Sequence, residues 1–151
     1  MNQKALAKRK EFKQKVKALK KSKSVDVDSR FQSLHESAFM KIDCLECANC
    51  CKTTSPLFTS ADIARIAKRL GMKQKQFVKD YLRVDEDGDY VLQSVPCTFL
   101  LPDNKCRIYE FRPKACREYP HTDMKGQQKI FSLTLRNSEI CPAVFEILEN
   151  L

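Results

Sequence analysis

Cysteine is the residue type through which this chain can do chemistry, and its spacing indicates which chemistry. Four cysteines fall within Cys44-Leu-Glu-Cys47-Ala-Asn-Cys50-Cys51, and four more stand apart at Cys97, Cys106, Cys116 and Cys141. In a Cys-x-x-Cys turn two sulfurs converge on one ion while the intervening backbone N–H groups point at the thiolates and stabilise their charge. One such pair is a weak signal. Two overlapping pairs, an adjacent cysteine and four distant ones make all eight candidate metal ligands. Their number matches two four-thiolate zinc sites, two cubane-type iron-sulfur clusters, or a single four-cysteine centre with spare thiols.

Geometry limits how the dense group shares this work. On one helix its sulfurs would spread along roughly 10 Å of axis at about 1.5 Å per residue. A tetrahedral ion with bonds of about 2.3 Å cannot span that, so residues 44–51 are expected to form a loop. Neighbouring side chains diverge, so Cys50 and Cys51 are expected to serve two centres, or one of them to be a buried packing cysteine. The Cys-x-x-Cys-x-x-Cys run and the Cys141-Pro142 dipeptide resemble bacterial ferredoxins and favour a 4Fe-4S cluster, but here the fourth cysteine follows immediately and not three residues on. Zinc needs only convergence, so Zn2+ and an iron-sulfur cluster both stay open as cofactors. The plain alternative is eight reduced, buried, small hydrophobes or an oxidised staple.

Compartment and charge bear on that choice. The N-terminus is charged and lacks the apolar run of a signal peptide, and no stretch approaches the roughly 18–20 apolar residues of a membrane span. A cytoplasmic location is therefore expected, where structural disulfides are rare. The net charge of +9 is local: residues 1–23 hold ten Lys or Arg and one acid, Glu11, while the rest of the chain carries 18 basic and 18 acidic side chains. This basic arm has three readings: a solvated helix packing its stripe on the next one, a binder of RNA or another polyanion, or a ligand of an anionic membrane surface, the last disfavoured by its thin apolar face.

The elements that must position the cysteines follow from periodicity. Ala5, Phe12, Val16 and Leu19 trace a narrow stripe on a helix over 4–20. Asp26 or Asp28 is expected to cap a second helix carrying Val27, Phe31, Leu34 and Ala38. Thr59 or Ser60 is expected to cap a third helix, with Asp62 complementing its positive end, Ile63, Ile66, Ala67 and Leu70 inward, and Gly71 as its stop. Another helix is predicted over 73–82, a turn at 85–89, a strand over 90–95, and a hairpin around Pro102 with Cys97 and Cys106 on its arms. Pro113 opens a short helical turn containing Cys116, which Pro120 closes; 129–135 reads as a strand; Pro142 starts a final helix facing inward with Val144, Phe145 and Leu148. The fold class is α+β, mainly helical: a small cysteine-rich metal-binding domain with short strands and an N-terminal helical arm. The organisation expected is a basic arm (1–24), a linking helix (25–42) and a cysteine-cluster domain (43–151).

These motifs resemble the YkgJ-type cysteine-cluster family of zinc- or iron-chelating proteins, whose signature is a Cys-x-x-Cys-x-x-Cys-Cys run followed by Pro-Cys-x-Phe-Leu and Arg-Pro-x-x-Cys-Arg segments. Here they stand as Cys44 to Cys51, Pro96-Cys97-Thr-Phe99-Leu100, Cys106 to Pro113, and Cys116-Arg117-Glu-Tyr-Pro120. The resemblance implies a metal-binding domain, supplies no reaction, and leaves the arm outside it.

Other polar residues have plainer readings. Arg107, Arg112 and Arg117 are candidates to offset thiolate charge or are surface and capping residues. His35 is expected to pack or face solvent, while His121 is a candidate replacement ligand in a mixed site. Asp62, Asp85, Glu86 and Asp87 read as helix-end and turn residues. No Ser-His-Asp pattern, phosphate loop or dinucleotide fingerprint is visible. The function expected is metal binding with a redox or electron-transfer role; the alternatives are a structural zinc module presenting the arm to nucleic acid or a protein partner, and an iron-sulfur enzyme.

Overall fold

Hydrophobic periodicity accounts for most of the local structure. In the computed structural model, which describes residues 2–151, the elements run α1 (Asn2–Leu19), α2 (Ser24–Phe39), α3 (Cys44–Cys47), α4 (Asn49–Thr53), β1 (Leu57–Phe58), α5 (Ser60–Arg69) and α6 (Gln74–Tyr81). They continue with β2 (Leu82–Val84), β3 (Tyr90–Leu92), α7 (Lys114–Glu118), α8 (Phe131–Asn137) and α9 (Pro142–Glu149), with single 3-10 turns at Tyr109–Phe111 and Gln127–Lys129. This is a mainly helical α+β protein. None of the described helices is long and apolar enough to cross a membrane. The chain divides into two compact units, Cys44–Tyr119 and the segments on either side of it, up to Asp43 and from Pro120 to Leu151.

The flanking segments build a helical unit. The stripe of α1 is buried at Ala5, Phe12 and Val16, and it packs chiefly on α8 and α9, with Phe12 edge-on to Phe145 at 5.4 Å. Helix α2 lays Val27, Phe31 and Ala38 inward, against α9 and the Gln127–Lys129 turn. Pro142 is the first residue of α9, where its missing N–H leaves no bond unmade, and Val144, Ile147 and Leu148 are fully enclosed. His35 packs, as expected: its Nδ1 shares a 2.8 Å hydrogen bond with Thr122 Oγ1 and its ring lies 4.5 Å from that of Phe39.

Two local expectations fail here. Asp28 does not cap α2, which starts earlier behind Lys23; its carboxylate accepts the backbone N–H groups of Gly126 and Gln127 at 2.8 and 2.9 Å. Residues 129–135 are no strand but the end of a 3-10 turn and the start of α8. Phe131, Thr134 and Ser138 recur at helical spacing and are buried, so the tertiary contacts of one face override the weak alternation.

The middle unit is built on α5. Thr59 and Asp62 form a reciprocal capping box, Ile63, Ile66 and Ala67 are buried, and Gly71 ends the helix at φ +69°, a conformation other residues reach only with strain. An antiparallel sheet of order β1-β3-β2 lies beside it, registered Leu57↔Val91, Phe58↔Tyr90 and Val84↔Tyr90. One core joins Phe58, Ile66, Phe77, Leu82, Leu92, Phe99 and Ile108, with Phe77 stacked on Tyr81 and Phe99 at 5.2 and 6.4 Å. Asp85 is a turn residue, its Oδ1 accepting the N–H groups of Asp87 and Asp89. The dense cysteine segment corrects the loop expectation. It is two helical turns, α3 and α4, separated by Ala48 in the left-handed region at φ +49°.

Candidate metal centre

The break at Ala48 decides which way the dense cysteines face. Ala48 is buried, and its left-handed backbone turns the chain between Cys44 and Cys47 on α3 and Cys50 and Cys51 on α4. Cys44 is exposed; Cys47, Cys50 and Cys51 are half-buried. The sulfurs of Cys50 and Cys51 lie 4.0 Å apart, so these vicinal side chains do not diverge as expected.

Cys97 is tied to the dense group through its backbone. Its N–H donates to the carbonyl of Cys51 at 2.7 Å, which ties the start of the hairpin to the end of the dense group. The hairpin closes through Leu101 N–H to Lys105 O at 2.8 Å and a bridge between Leu100 and Cys106. Cys97 and Cys106 thus stand on its two arms, as predicted.

Cys116 is delivered by α7, and a buried carboxylate holds that helix. Asp62, only 1% exposed, accepts from Thr59 N and Oγ1, from Arg65 Nη2 at 2.7 Å and from the N–H of Lys114 at 3.1 Å. Arg65 also donates to the carbonyl of Arg112 at 2.9 Å. Helix α5 therefore grips the Arg112-Pro113-Lys114 segment from which Cys116 follows. Burial alone would push the Asp62 carboxyl up, but these hydrogen bonds together outweigh it and hold it below the usual carboxylate value. Asp62 is a helix-end residue, as expected, and also links α5 to the Lys114 backbone. An Asp three residues before an Arg signals a local ion pair, but nothing in the sequence shows that both reach a segment about fifty residues later.

Four of these thiols influence one another electrostatically. Burial first, then the charges of Cys51, Cys97 and Cys106, push the Cys116 thiol up to about 12. Burial likewise lifts Cys97 to about 11, against the pull of the Phe99 and Leu100 N–H groups and with a push from Cys51 and Cys106. Cys106 is raised by burial and by Cys51, and lowered by the Ile108 N–H and Arg112. Cys51 is raised most, first by its hydrogen bond with Cys50 and then by burial.

Of the three arginines, Arg112 is the one whose charge acts on Cys106 and Cys116, and it lies 3.8 Å over the ring of Tyr109. Arg107 covers the ring of Phe99, and Arg117 donates to the carbonyl of Arg112. Cys141 belongs to the helical unit, buried at the N-terminal boundary of α9. His121 lies in that unit too, at φ +68°, with its carbonyl accepting from Gln127 Nε2.

This donor set fits a cation. Gathering half-buried thiols makes each harder to ionise, and a bound divalent ion reverses that, because a coordinating thiol is deprotonated outright. The N–H groups aimed at Cys97 and Cys106 favour the same anionic form. No three Cys, His, Asp or Glu side chains among the described residues close into a ready coordination shell.

Comparisons with known proteins agree with the chemistry of this donor set. An uncharacterized protein of Methanocaldococcus jannaschii is 34% identical over 82 residues, which cover 52% of this chain and 44% of that protein, so the chain spans under half the length of this relative. No solved structure gives a significant match. A family model covers residues 43–142, and the chain accordingly belongs to the CxxCxxCC family, described as a "Putative zinc- or iron-chelating domain".

Proposed function

We propose that the chain is a metal-binding protein in which the thiolates of Cys51, Cys97, Cys106 and Cys116 hold zinc or iron, with Cys50 beside them. What supports this reading is the mutual electrostatic influence of the Cys51, Cys97, Cys106 and Cys116 thiols, on segments tied together by the Cys97 N–H to Cys51 O bond and by the Asp62–Arg65 grip. Each segment contributes ligands and little else in common, which is how a structural centre staples a small fold.

A single-ion centre is matched in number by the four thiolates Cys51, Cys97, Cys106 and Cys116. A second reading, an iron-sulfur cluster with a redox role, draws support from the surplus of thiols in the middle unit, where Cys44 and Cys47 add to the others. Saturation by protein thiolates favours a structural or electron-carrying role over catalysis, since catalytic zinc keeps an open position.

Anaerobic purification followed by elemental analysis and a visible spectrum tests both readings. Stoichiometric zinc in a colourless protein supports the single-ion centre, and iron with thiolate absorption bands and acid-labile sulfide supports the cluster. Folded protein devoid of either metal would refute the proposal.

A further inference from the structure

From the outward face of α1 we infer a second binding surface, independent of the metal centre, for the phosphate backbone of a nucleic acid. The buried stripe of Ala5, Phe12 and Val16 fixes how the helix is rotated. Lys10, Lys13 and Lys17, with Lys20 and Lys21 in the turn that closes it, are all exposed, and at about 100° per residue the three helical lysines fall within an arc of roughly 60° clear of that stripe.

The basic residues of α1 are sorted by their surroundings. Lys8 pairs with Glu149, Arg9 with Glu139, and Lys15 with Glu11 while also donating to the carbonyls of Leu148 and Glu149. These cations hold the helix to its own unit. The five outward lysines have no acid within ion-pair distance among the described residues. Their charge is uncompensated, and the arm that concentrates it contains the protein's whole net charge of +9.

Charge density identifies the partner. From Lys10 to Lys17 the helix rises about 10 Å at about 1.5 Å per residue, the closing turn adds Lys20 and Lys21, and a nucleic-acid backbone carries a charge at every nucleotide over such a length. Five uncompensated cations thus match a dense, continuous row of anions in charge. An anionic membrane fits worse, because an interfacial helix inserts an apolar face, and here that face is enclosed in the protein core; Leu6 is the large apolar side chain left exposed on α1.

The experiment uses the full chain with metal bound and follows the anisotropy of fluorescein-labelled 20-nucleotide RNA and DNA strands from 50 to 200 mM salt. With about five phosphates neutralised, the slope of log K against log salt should be near −3.5, a loss of roughly a hundredfold over that range. The variant K10Q/K13Q/K17Q/K20Q/K21Q should flatten the slope and lose most of the affinity at 50 mM salt, while K8Q/R9Q should stay within about twofold of wild type. Gln and Lys have similar helix propensity; should the Gln variant nonetheless fail to fold, the corresponding five Lys→Arg changes keep the charge and must retain binding. Binding to either strand with that slope supports the inference. It is overturned by no binding at 50 mM salt, by equal binding of the Gln variant, by loss of binding in the Lys→Arg variant, or by capture on phosphatidylserine vesicles with no affinity for strands.

Discussion

Replacing Asp62 by asparagine keeps the shape of the side chain and removes its charge, so it isolates what the carboxylate does. Arg65 and three further donors converge on it in a nearly solvent-free position, and an amide can accept at only one of its two ends. Urea denaturation of the metal-loaded protein should show a loss of about 2 kcal/mol, typical of hydrogen bonds to a buried charged group left unmade. The same residue contributes to the acid limit of stability. Its folded pKa lies below the ordinary carboxylate value, so its contribution is complete above the unfolded value of about 3.9 and disappears as pH falls through the lower folded value. Asp62→Asn should therefore shrink the acid-side loss of stability measured by denaturation between about pH 5 and pH 2. At the centre itself, Cys51→Ser should lower bound metal measured by elemental analysis by half or more, and His35→Ala should leave it unchanged, since His35 is occupied with Thr122 and Phe39.

The elements were legible where one face repeats and hidden where contacts far along the chain decide. Helix α5 could be read to its ends because Thr59, Asp62, Ile63, Ile66 and Gly71 each give the same answer, and the hairpin of Cys97 and Cys106 followed from its turn residues. The strands β1 and β2 were too short to carry an alternation of two, and they exist because β3 lies between them. Asp28 looked like a cap because capping is a local habit of aspartate, whereas its acceptors' partners, the N–H groups of Gly126 and Gln127, are about a hundred residues away. Residues 44–51 do not form one helix, as expected, but what breaks them is one left-handed residue and not a loop. Ala48 is that residue, and its φ of +49° is tolerated by alanine but poorly by a β-branched side chain. Ala48→Val should cost about 2 kcal/mol or more and reduce metal content with it, while Ala48→Gly should keep the metal. Thermal unfolding alongside elemental analysis separates the two variants; equal metal in Val and Gly forms would mean that the break does not orient the cysteines.

At the scale of the whole chain, the eight cysteines and the family motif are visible in the sequence, but the ties between the segments that carry Cys51, Cys97 and Cys116 are not, because they run through Asp62, Arg65 and the Cys51 carbonyl, each far from its partner along the chain. Their distribution predicts a division in how the molecule responds to losing metal. The helical unit has its own apolar core of Phe12, Phe31, Phe131, Val144, Ile147 and Leu148 and aromatic contacts such as Phe12 with Phe145, none of which depends on the proposed ligands. The middle unit's core, built around α5 and α6, is surrounded by short elements, α3, α4, α7 and three strands of two or three residues, which cannot hold themselves folded because isolated short helices and hairpins are marginal in water. In such a unit the free energy of ion binding is folding free energy. Chelation should therefore abolish hydrogen-exchange protection over residues 44–58 and 97–119 first, while the amides of α1, α2, α8 and α9 remain protected. Peptide-resolved exchange on chelated and metal-loaded protein reads this directly. Uniform loss across both units would make the metal a requirement of the whole chain, and unchanged protection around Cys51, Cys97, Cys106 and Cys116 after complete removal of zinc and iron would show that the thiols pack without needing an ion at all.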